Sequence, residues 1–324
     1  MRELFLMMNV GSKGGKKMHG IIRTRGLTKK VNDKELVSDI NLHIKKGEIY
    51  GFLGQNGAGK TTIMKMLTGL MIPTSGEIEL FGHLLTEKTK SVLKRVGSII
   101  EYPIFFDHLT AIENVKLHCE YLGFYDEKAV REALDLVHLK GVEKKQVKNF
   151  SLGMKQRLGI ARAIITKPEL IVLDEPTNGL DPIGIKDVRD LLLMLNKDYG
   201  ITFLLSSHIL GEMEQIVDRI GVIHNGKLLN EVTLADIRKQ RTDYIELATT
   251  DVEKTVYLLE SELQISNMKI IQDKKIRIYD WTQSQNAISK MLVLHDIGIE
   301  EIQKHTSSLE DYFYKQIKGG RHIE

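Results

Sequence analysis

Apolar and polar positions alternate along the chain with periods that predict short strands, amphipathic helices and polar turns. Before residue 210, apolar runs of strand length occupy residues 21–24, 40–44, 49–53, 77–82 (with its turn), 96–100, 170–173 and 201–205. Helical spacing occurs at 62–67, and residues 102–168 are predominantly helical by pattern, with Thr110 to Glu113 as a capping-box start. Strands that alternate with helices in this way predict an α/β fold with a parallel sheet.

The last third of the chain has a separate pattern. Its apolar spacing predicts a strand, a helix, two strands, a helix and a strand at 244–247, 251–260, 268–271, 276–279, 284–294 and 299–302. This β-α-β-β-α-β order is typical of a small ferredoxin-like α+β domain. A further helix is expected from Ser307. We therefore predict a main domain over 21–230 and an accessory domain over 231–324.

The first residues have no clear period. Glycine and lysine dominate residues 11–17, so residues 1–20 are expected to form an unstructured tail or a non-native leader. Residues 13–18, Lys-Gly-Gly-Lys-Lys-Met, can be encoded by a bacterial ribosome-binding sequence followed by a start codon. We hypothesise that translation normally starts at Met18; finding residues 1–17 in the native protein by mass spectrometry would contradict this.

Composition narrows the possible classes of protein. The 324 residues suggest about two domains, and the formal charge of +3, with lysines mostly beside acids, gives no strong nucleic-acid footprint. Cys119 is the only cysteine, which excludes an internal disulfide or a thiolate metal cluster. No apolar run approaches the roughly 20 residues of a membrane span. Any membrane role therefore requires a partner.

Residues 54–62 carry the strongest chemical signal, because they match the phosphate-binding pattern G-x-x-x-x-G-K-[ST] between a predicted strand and a predicted helix. Glycines let backbone N–H groups curl around a phosphate, and the helix adds its positive end. Lys60 is expected to reach the β- and γ-phosphates, and the Thr61 hydroxyl to bind Mg²⁺. The expected nucleotide-binding residues here are Gly54, Gln55, Asn56, Gly57, Ala58, Gly59, Lys60, Thr61 and Thr62.

Two more strands end in residues suited to nucleotide chemistry. The strand at 170–173 runs into Asp174 and Glu175, and the strand at 201–205 is followed by Ser206, Ser207 and His208. Parallel strands place such residues at the carboxyl edge of the sheet, where α/β folds bind ligands. We expect Asp174 to bind Mg²⁺, Glu175 to polarise the attacking water and His208 to contact the γ-phosphate. The simpler interpretation is a polar turn and a structural histidine.

Together these motifs resemble the ATP-binding subunits of ABC transporters over residues 21 to about 228. Residues 150–157, Phe-Ser-Leu-Gly-Met-Lys-Gln-Arg, match the family's signature segment; residues 176–182 match its D-loop, and His208 matches its switch histidine. The resemblance implies ATPase activity with ATP and Mg²⁺, and a P-loop NTPase core with an antiparallel β subdomain and a helical subdomain at about 102–168. It also implies a head-to-tail homodimer, in which Ser151 and the Gly153 N–H donate to the γ-phosphate held by the other copy.

Three positions depart from the usual family pattern. Val31 stands where an aromatic usually stacks on adenine, so base selectivity should be weak. Leu152 replaces a usual glycine, so its backbone must avoid angles that only glycine adopts. Glu101 replaces a usual glutamine, and a carboxylate is the better Mg²⁺ ligand, directly or through water. With glutamate at this position, the chain resembles the subgroup of ABC transporters that exports, or confers immunity to, peptide antibiotics such as bacitracin and lantibiotics.

The resemblance implies an integral-membrane permease as the partner and a cytoplasmic location on the inner face of the membrane. The alternative is a soluble ABC-type ATPase that acts on nucleic acid or ribosomes. Such proteins usually have two cassettes in one chain or a long coiled-coil insertion, and this chain has neither. A P-loop kinase is disfavoured by the signature segment and His208. We therefore expect no nucleic-acid partner.

Overall fold

The computed structural model describes residues 20–123, 126–240, 243–272, 275–279 and 284–305. They form two compact units, the first reaching Leu234 and the second beginning at Ala235. The predicted boundary after residue 230 falls inside a strand of the first unit, Lys227–Thr233. Of the predicted leader, the described part is Gly20 alone, which begins a strand. The other leader residues, including Met18, and the helix predicted from Ser307 lie outside the described residues.

A six-stranded sheet forms the centre of the first unit. Its strands are β4 (Ile49–Leu53), β7 (Val96–Ile99), β8 (Leu170–Leu173), β9 (Thr202–Ser207), β10 (Arg219–His224) and β11 (Lys227–Thr233). They lie in the order β11-β10-β4-β9-β8-β7, and all neighbours are parallel except β10 and β11. Strands β4, β8 and β9 are buried along their whole length, as expected for a parallel sheet covered on both faces.

An antiparallel sheet lies beside it in the first unit. Its strands are β1 (Gly20–Val31), β2 (Lys34–Ile40), β3 (His43–Lys45), β5 (Ser75–Leu80) and β6 (His83–Leu84). The single strand predicted over 40–44 is wrong: β2 ends at Ile40 and β3 begins at His43. The cause is the Thr24 hydroxyl, which donates to the Ile40 carbonyl (2.8 Å) and accepts from the Leu42 N–H (2.9 Å). A side chain thus replaces part of the strand ladder.

Helices cover the sheets and form the segment that the pattern predicted as helical. In the first unit they are α1 (Lys60–Leu67), α2 (Ala111–Tyr121), α3 (Glu127–Leu136), α4 (Leu152–Ile164), α5 (Pro182–Tyr199) and α6 (Leu210–Met213), with 3₁₀ turns at Glu87–Arg95 and Val147–Asn149. Helix α7 (Leu234–Gln240) begins at Leu234, and its other residues belong to the second unit. The Thr110 capping box at α2 is present, with Glu113 bonded back to Thr110. Helices α2 to α4 account for the predicted helical subdomain over 102–168.

The second unit has the predicted β-α-β-β-α-β order. Its elements are β12 (Tyr244–Thr249), α8 (Val252–Ser261), β13 (Met268–Gln272), β14 (Lys275–Ile278), α9 (Gln285–Leu294) and β15 (Ile299–His305). The sheet order β13-β14-β12-β15, antiparallel throughout, is the ferredoxin-like topology. A separate core that includes Leu247, Leu259 and Ile276 holds this unit together.

Within the described residues, no helix combines the length and the apolar composition that a membrane span requires.

Candidate functional site

The predicted phosphate-loop, metal and catalytic residues follow four neighbouring parallel strands, each at its carboxyl end. The phosphate loop follows β4, Asp174 follows β8, His208 follows β9 and Glu101 lies just beyond β7. Because β4, β9, β8 and β7 are adjacent and parallel, these residues share one edge of the sheet. The order of the strands therefore creates the site from segments far apart in sequence.

Two glycines allow the phosphate loop to fold where it does. A Cβ at Gly54 would lie 2.4 Å from the Ile223 carbonyl oxygen. Only glycine, which has no Cβ, therefore lets the loop approach β10 this closely. Gly59 has φ +108° and a Cβ there would lie 3.0 Å from the Leu36 carbonyl oxygen. It directly precedes α1, whose N-terminus has no side-chain cap. The N–H groups of the first turn of α1 are therefore available to an anion.

Lys60 is buried at the start of α1 and points back into the loop. Its ammonium donates to the carbonyls of Gly54 (2.6 Å) and Gln55 (3.3 Å), and lies 3.5 Å from a carboxylate oxygen of Glu175. Only 5% of Lys60 is exposed, so a buried cation is held between two carbonyls and one carboxylate. A phosphate entering the loop would meet this ammonium and replace part of its present pairing.

Thr61 and Asp174 form the all-oxygen pair expected of a magnesium site. The Thr61 hydroxyl donates to Asp174 Oδ2 at 2.7 Å, and the other oxygen of Asp174 accepts from the Ser206 hydroxyl at 2.6 Å. Hydroxyl and carboxylate oxygens are the donors that Mg²⁺ prefers. Asp174 is 3% exposed, and its bond from Ser206 leaves Oδ2 directed at Thr61. These residues fit a magnesium ion bound beside the phosphates.

The side chains of Glu175 and His208 form a pair. His208 Nδ1 lies 2.8 Å from one carboxylate oxygen of Glu175, while the other oxygen faces Lys60. The Ser206 hydroxyl also accepts from the Glu175 N–H at 2.9 Å. Glu175 has φ +49°, a left-handed conformation that a non-glycine residue adopts at a cost and that is common at active sites. The Ser206 hydroxyl is thus bonded to the Asp174 carboxylate and to the Glu175 backbone.

An open pocket of about 620 Å³ lies over the loop. Its lining in the described chain consists of loop residues 55–62 together with Lys34, Glu35, Leu36, Glu175, Asn225 and Gly226. Polar and apolar groups thus surround a space next to the phosphate loop, on the side of β2 and of the β10–β11 turn. The volume suits a nucleotide-sized ligand.

Glu101 lies at the same edge but contacts a different group. Its carboxylate pairs with the Lys65 ammonium at 2.6 Å, and 60% of the Glu101 side chain is exposed. Glu101 also has φ +64°. The predicted magnesium ligand is therefore near α1, paired with a lysine.

The signature residues lie on another element. Ser151 caps α4 by accepting from the Met154 N–H at 3.3 Å, and Gly153 lies in the first turn of that helix. Neither lines the pocket described above. Leu152 begins α4 and is 46% exposed, so the position that is glycine in the family pattern has ordinary helical geometry here. The helix start has no acidic side chain in its first turn, which leaves its positive end free to meet an anion.

Val31 ends β1 at a tight hairpin and is 42% exposed. It pairs with Lys34 across Asn32 (φ +47°) and Asp33 (φ +63°), a turn with two left-handed residues. The apolar pattern did not predict this hairpin, although Asn-Asp is a composition that tolerates left-handed angles. The hairpin leads into the pocket residues Lys34 to Leu36.

Sequence reasoning assigned no role to several residues that shape the site. Ser206 was visible only as the polar end of a strand, and its contacts with Asp174 and Glu175 depend on β8 and β9 being neighbours. The Asn225-Gly226 turn reaches the loop through the Gly226 N–H, which donates to the Ala58 carbonyl at 2.9 Å. The Asn-Gly dipeptide signals a hairpin turn, but nothing in it indicates proximity to the loop.

Comparisons with known proteins agree with this geometry. The family model for ABC transporters matches residues 37–178. A Bacillus subtilis (strain 168) protein described as the uncharacterized ABC transporter ATP-binding protein YcbN is 60% identical over 299 residues, covering 92% of this chain and 97% of that protein. The bacitracin transport ATP-binding protein BcrA of Bacillus licheniformis is 47% identical over 303 residues, covering 94% of this chain and 99% of BcrA.

The lantibiotic transport ATP-binding protein SrtF of Streptococcus pyogenes is 44% identical over 211 residues, covering 65% of this chain and 90% of SrtF. Among solved structures, the dimeric post-hydrolysis state of the ATP-binding cassette MJ0796 bound to ADP and Pi superposes with a TM-score of 0.59 at 26% identity. That match covers 66% of this chain and 98% of the cassette.

Proposed function

Because this chain belongs to the ABC transporter ATP-binding proteins, we propose that it powers the export of, or immunity to, a peptide antibiotic through a separate permease. It is an ATP-binding and ATP-hydrolysing subunit, homologous to BcrA and SrtF over most of their length. The observation that carries the mechanism is the arrangement of Thr61, Asp174, Glu175 and His208 around the phosphate loop.

The N–H groups of residues 54–62 and the Lys60 ammonium bind the phosphates, and Thr61 with Asp174 holds Mg²⁺, which neutralises phosphate charge when bound. Glu175 orients the attacking water and accepts its proton, while His208 contacts the γ-phosphate and, through its bond to Glu175, fixes the direction of that carboxylate. The Lys60–Glu175 contact of 3.5 Å supports this role, since it keeps the acid beside the group that binds the terminal phosphate.

We further propose that two copies pack head to tail. Ser151 and the Gly153 N–H would then donate to the γ-phosphate bound by the other copy, helped by the positive end of α4. Two observations support this arrangement. Ser151 and Gly153 lie at the start of α4, which has no acidic side chain in its first turn, and they do not line the pocket of their own chain. A related ABC cassette has been solved as a dimer. In this arrangement each pocket is completed only when ATP brings the copies together.

The partner is proposed to be an integral-membrane permease, which places the chain on the inner face of the cell membrane. Purification of the tagged chain from mild-detergent extracts should retain a multi-span membrane protein. Nucleic acid retained in moderate salt, with no membrane protein, would support the alternative of a soluble ATPase acting on nucleic acid or ribosomes.

Glu101 is proposed to bind Mg²⁺ directly or through water and to transmit nucleotide binding to the segment that follows it. We expect Glu101→Ala to bind ATP normally and to lose protection of cells against the exported peptide. Glu101→Gln should protect partly, because an amide oxygen can still bind Mg²⁺ through water. The measurement is the inhibitory concentration of the peptide at equal protein level. Full protection by the alanine variant would mean that Glu101 is a solvated loop acid with no role in transport.

Val31 is proposed to give weak base selectivity. Val31→Tyr should tighten nucleotide binding by roughly 0.5–1.5 kcal/mol through stacking, measured with a fluorescent ATP analogue. Val31→Leu is the matched control, because it adds apolar area without a π-face. The wild-type protein should hydrolyse GTP at a rate comparable to ATP. A strong preference for ATP would mean that another residue reads adenine.

A further inference from the structure

Lys65 is the group that holds the Glu101 carboxylate in this structure. Its ammonium lies 2.6 Å from Glu101 Oε1, and the lysine side chain is 30% exposed against 60% for the glutamate. Lys65 stands four residues after Thr61 on α1, so the two side chains lie on the same face of the helix. Thr61 bonds to Asp174 at 2.7 Å. The Lys65–Glu101 pair is therefore one helical turn from the proposed magnesium ligands.

We propose that Lys65 is a positioning residue that competes with Mg²⁺ for the Glu101 carboxylate. This inference rests on the proposed metal role of Glu101. One of the two Glu101 carboxylate oxygens, Oε1, already accepts from the Lys65 ammonium at 2.6 Å. A Mg²⁺ ion bound to the same carboxylate would therefore share its charge with Lys65 or displace the ammonium, and a displaced carboxylate would be free to turn toward Thr61 and Asp174.

A movement of Glu101 would affect the chain segment that follows it. Glu101 has φ +64°, a conformation that costs free energy for a residue with a Cβ and that its contacts must maintain. A short distance along the chain, the Ile104 carbonyl accepts from Arg162 at 2.9 Å, and the Arg162 guanidinium lies 5.1 Å from the centre of the Phe105 ring. Ile104 is 82% exposed. A movement of Glu101 would therefore occur close in sequence to an exposed apolar segment that is bonded to α4.

The alternative is an ordinary surface ion pair. Exposed pairs contribute about 0.2–1 kcal/mol, which corresponds to a change of up to about fivefold in a binding constant. Under that alternative, Lys65 has no specific effect on metal binding. A loss of positive charge near the site would also strengthen cation binding in a general way, whether or not Glu101 is present. The two effects are separated by a double-mutant cycle.

The experiment measures Mn²⁺ binding by electron paramagnetic resonance in the presence of ADP, for the full chain. The four proteins are wild type, Lys65→Met, Glu101→Gln and the double variant. Lys90→Met is the matched control, because Lys90 forms a similar ion pair, with Glu87, on another element. Lys65→Gln is a second variant in case the methionine variant folds poorly. We expect Lys65→Met to bind Mn²⁺ about two- to fivefold more tightly and Glu101→Gln to bind it more weakly.

In the double variant, removing Lys65 should have no further effect. Unchanged Mn²⁺ affinity in Glu101→Gln would refute the metal role of Glu101 and leave the ATPase assignment intact. Weaker binding in Glu101→Gln together with no change in Lys65→Met would overturn the present inference alone. The same tightening in the presence and absence of Glu101 would also overturn it, since the effect would then be general electrostatics.

Discussion

Glu175→Gln is expected to bind ATP and to hydrolyse it roughly 10²–10⁴-fold more slowly than wild type, the range typical for loss of a general base. The amide keeps the size of the side chain, and the phosphate loop, Lys60 and the Thr61–Asp174 pair are unchanged. What is lost is the carboxylate that lies between His208 Nδ1 at 2.8 Å and Lys60 at 3.5 Å. Water is then neither oriented nor deprotonated.

The same variant should accumulate as an ATP-dependent dimer. The two copies are held together by bound ATP, and without hydrolysis they do not separate. Phosphate release under single-turnover conditions and light scattering with and without ATP are the two measurements. Glu77→Gln is the matched control, since Glu77 is an exposed acid paired with Arg25 at 3.5 Å on the antiparallel sheet. Near-normal turnover in Glu175→Gln would remove Glu175 from its proposed role.

Lys60→Ala should lose nucleotide affinity itself, so that neither dimer nor hydrolysis is observed. Charge-assisted hydrogen bonds contribute about 1.5–3 kcal/mol, which corresponds to a roughly 10- to 100-fold weaker binding constant. The loss is increased by Glu175, whose carboxylate then faces the phosphates without the ammonium that now lies 3.5 Å away.

Titration calorimetry with ATP and Mg²⁺ would measure this loss. Since Lys60 is buried and bonded to two carbonyls, Lys60→Met serves as a second variant that keeps most of the side-chain volume. Thermal unfolding of both variants controls for folding. Wild-type affinity in a folded Lys60→Met protein would contradict the role of this ammonium.

Local sequence patterns were sufficient where function depends on consecutive residues. The loop at 54–62 requires glycines and a helix start within one short segment, and each requirement is visible in the residue types. Strands β4, β8 and β9 follow apolar runs in the sequence, which are typical of parallel strands buried on both faces. Each run is followed by the polar or charged residues of the predicted site. The ferredoxin-like order of the second unit was predicted for the same reason, because each element has a clear period.

The contacts that depend on strand order could not be predicted in this way. Ser206 contacts Asp174 and Glu175 because β9 lies beside β8, and Asn225-Gly226 reaches the pocket because β10 pairs with β4. The partner of Glu101 follows from α1 packing near the end of β7, so Lys65 carried no signal of its own. The strand predicted over 40–44 failed for a local reason, since a buried threonine hydroxyl replaced backbone hydrogen bonds.

Susceptibility of the native host to peptide antibiotics tests the central claim most directly. The gene for this chain is deleted and complemented with wild type or with Glu175→Gln at equal protein level, and inhibitory concentrations of bacitracin and of a lantibiotic are measured. We predict that deletion lowers the inhibitory concentration of at least one of them, that wild type restores it and that Glu175→Gln does not. Equal inhibitory concentrations for all strains against both peptides would contradict peptide-antibiotic export or immunity as the function.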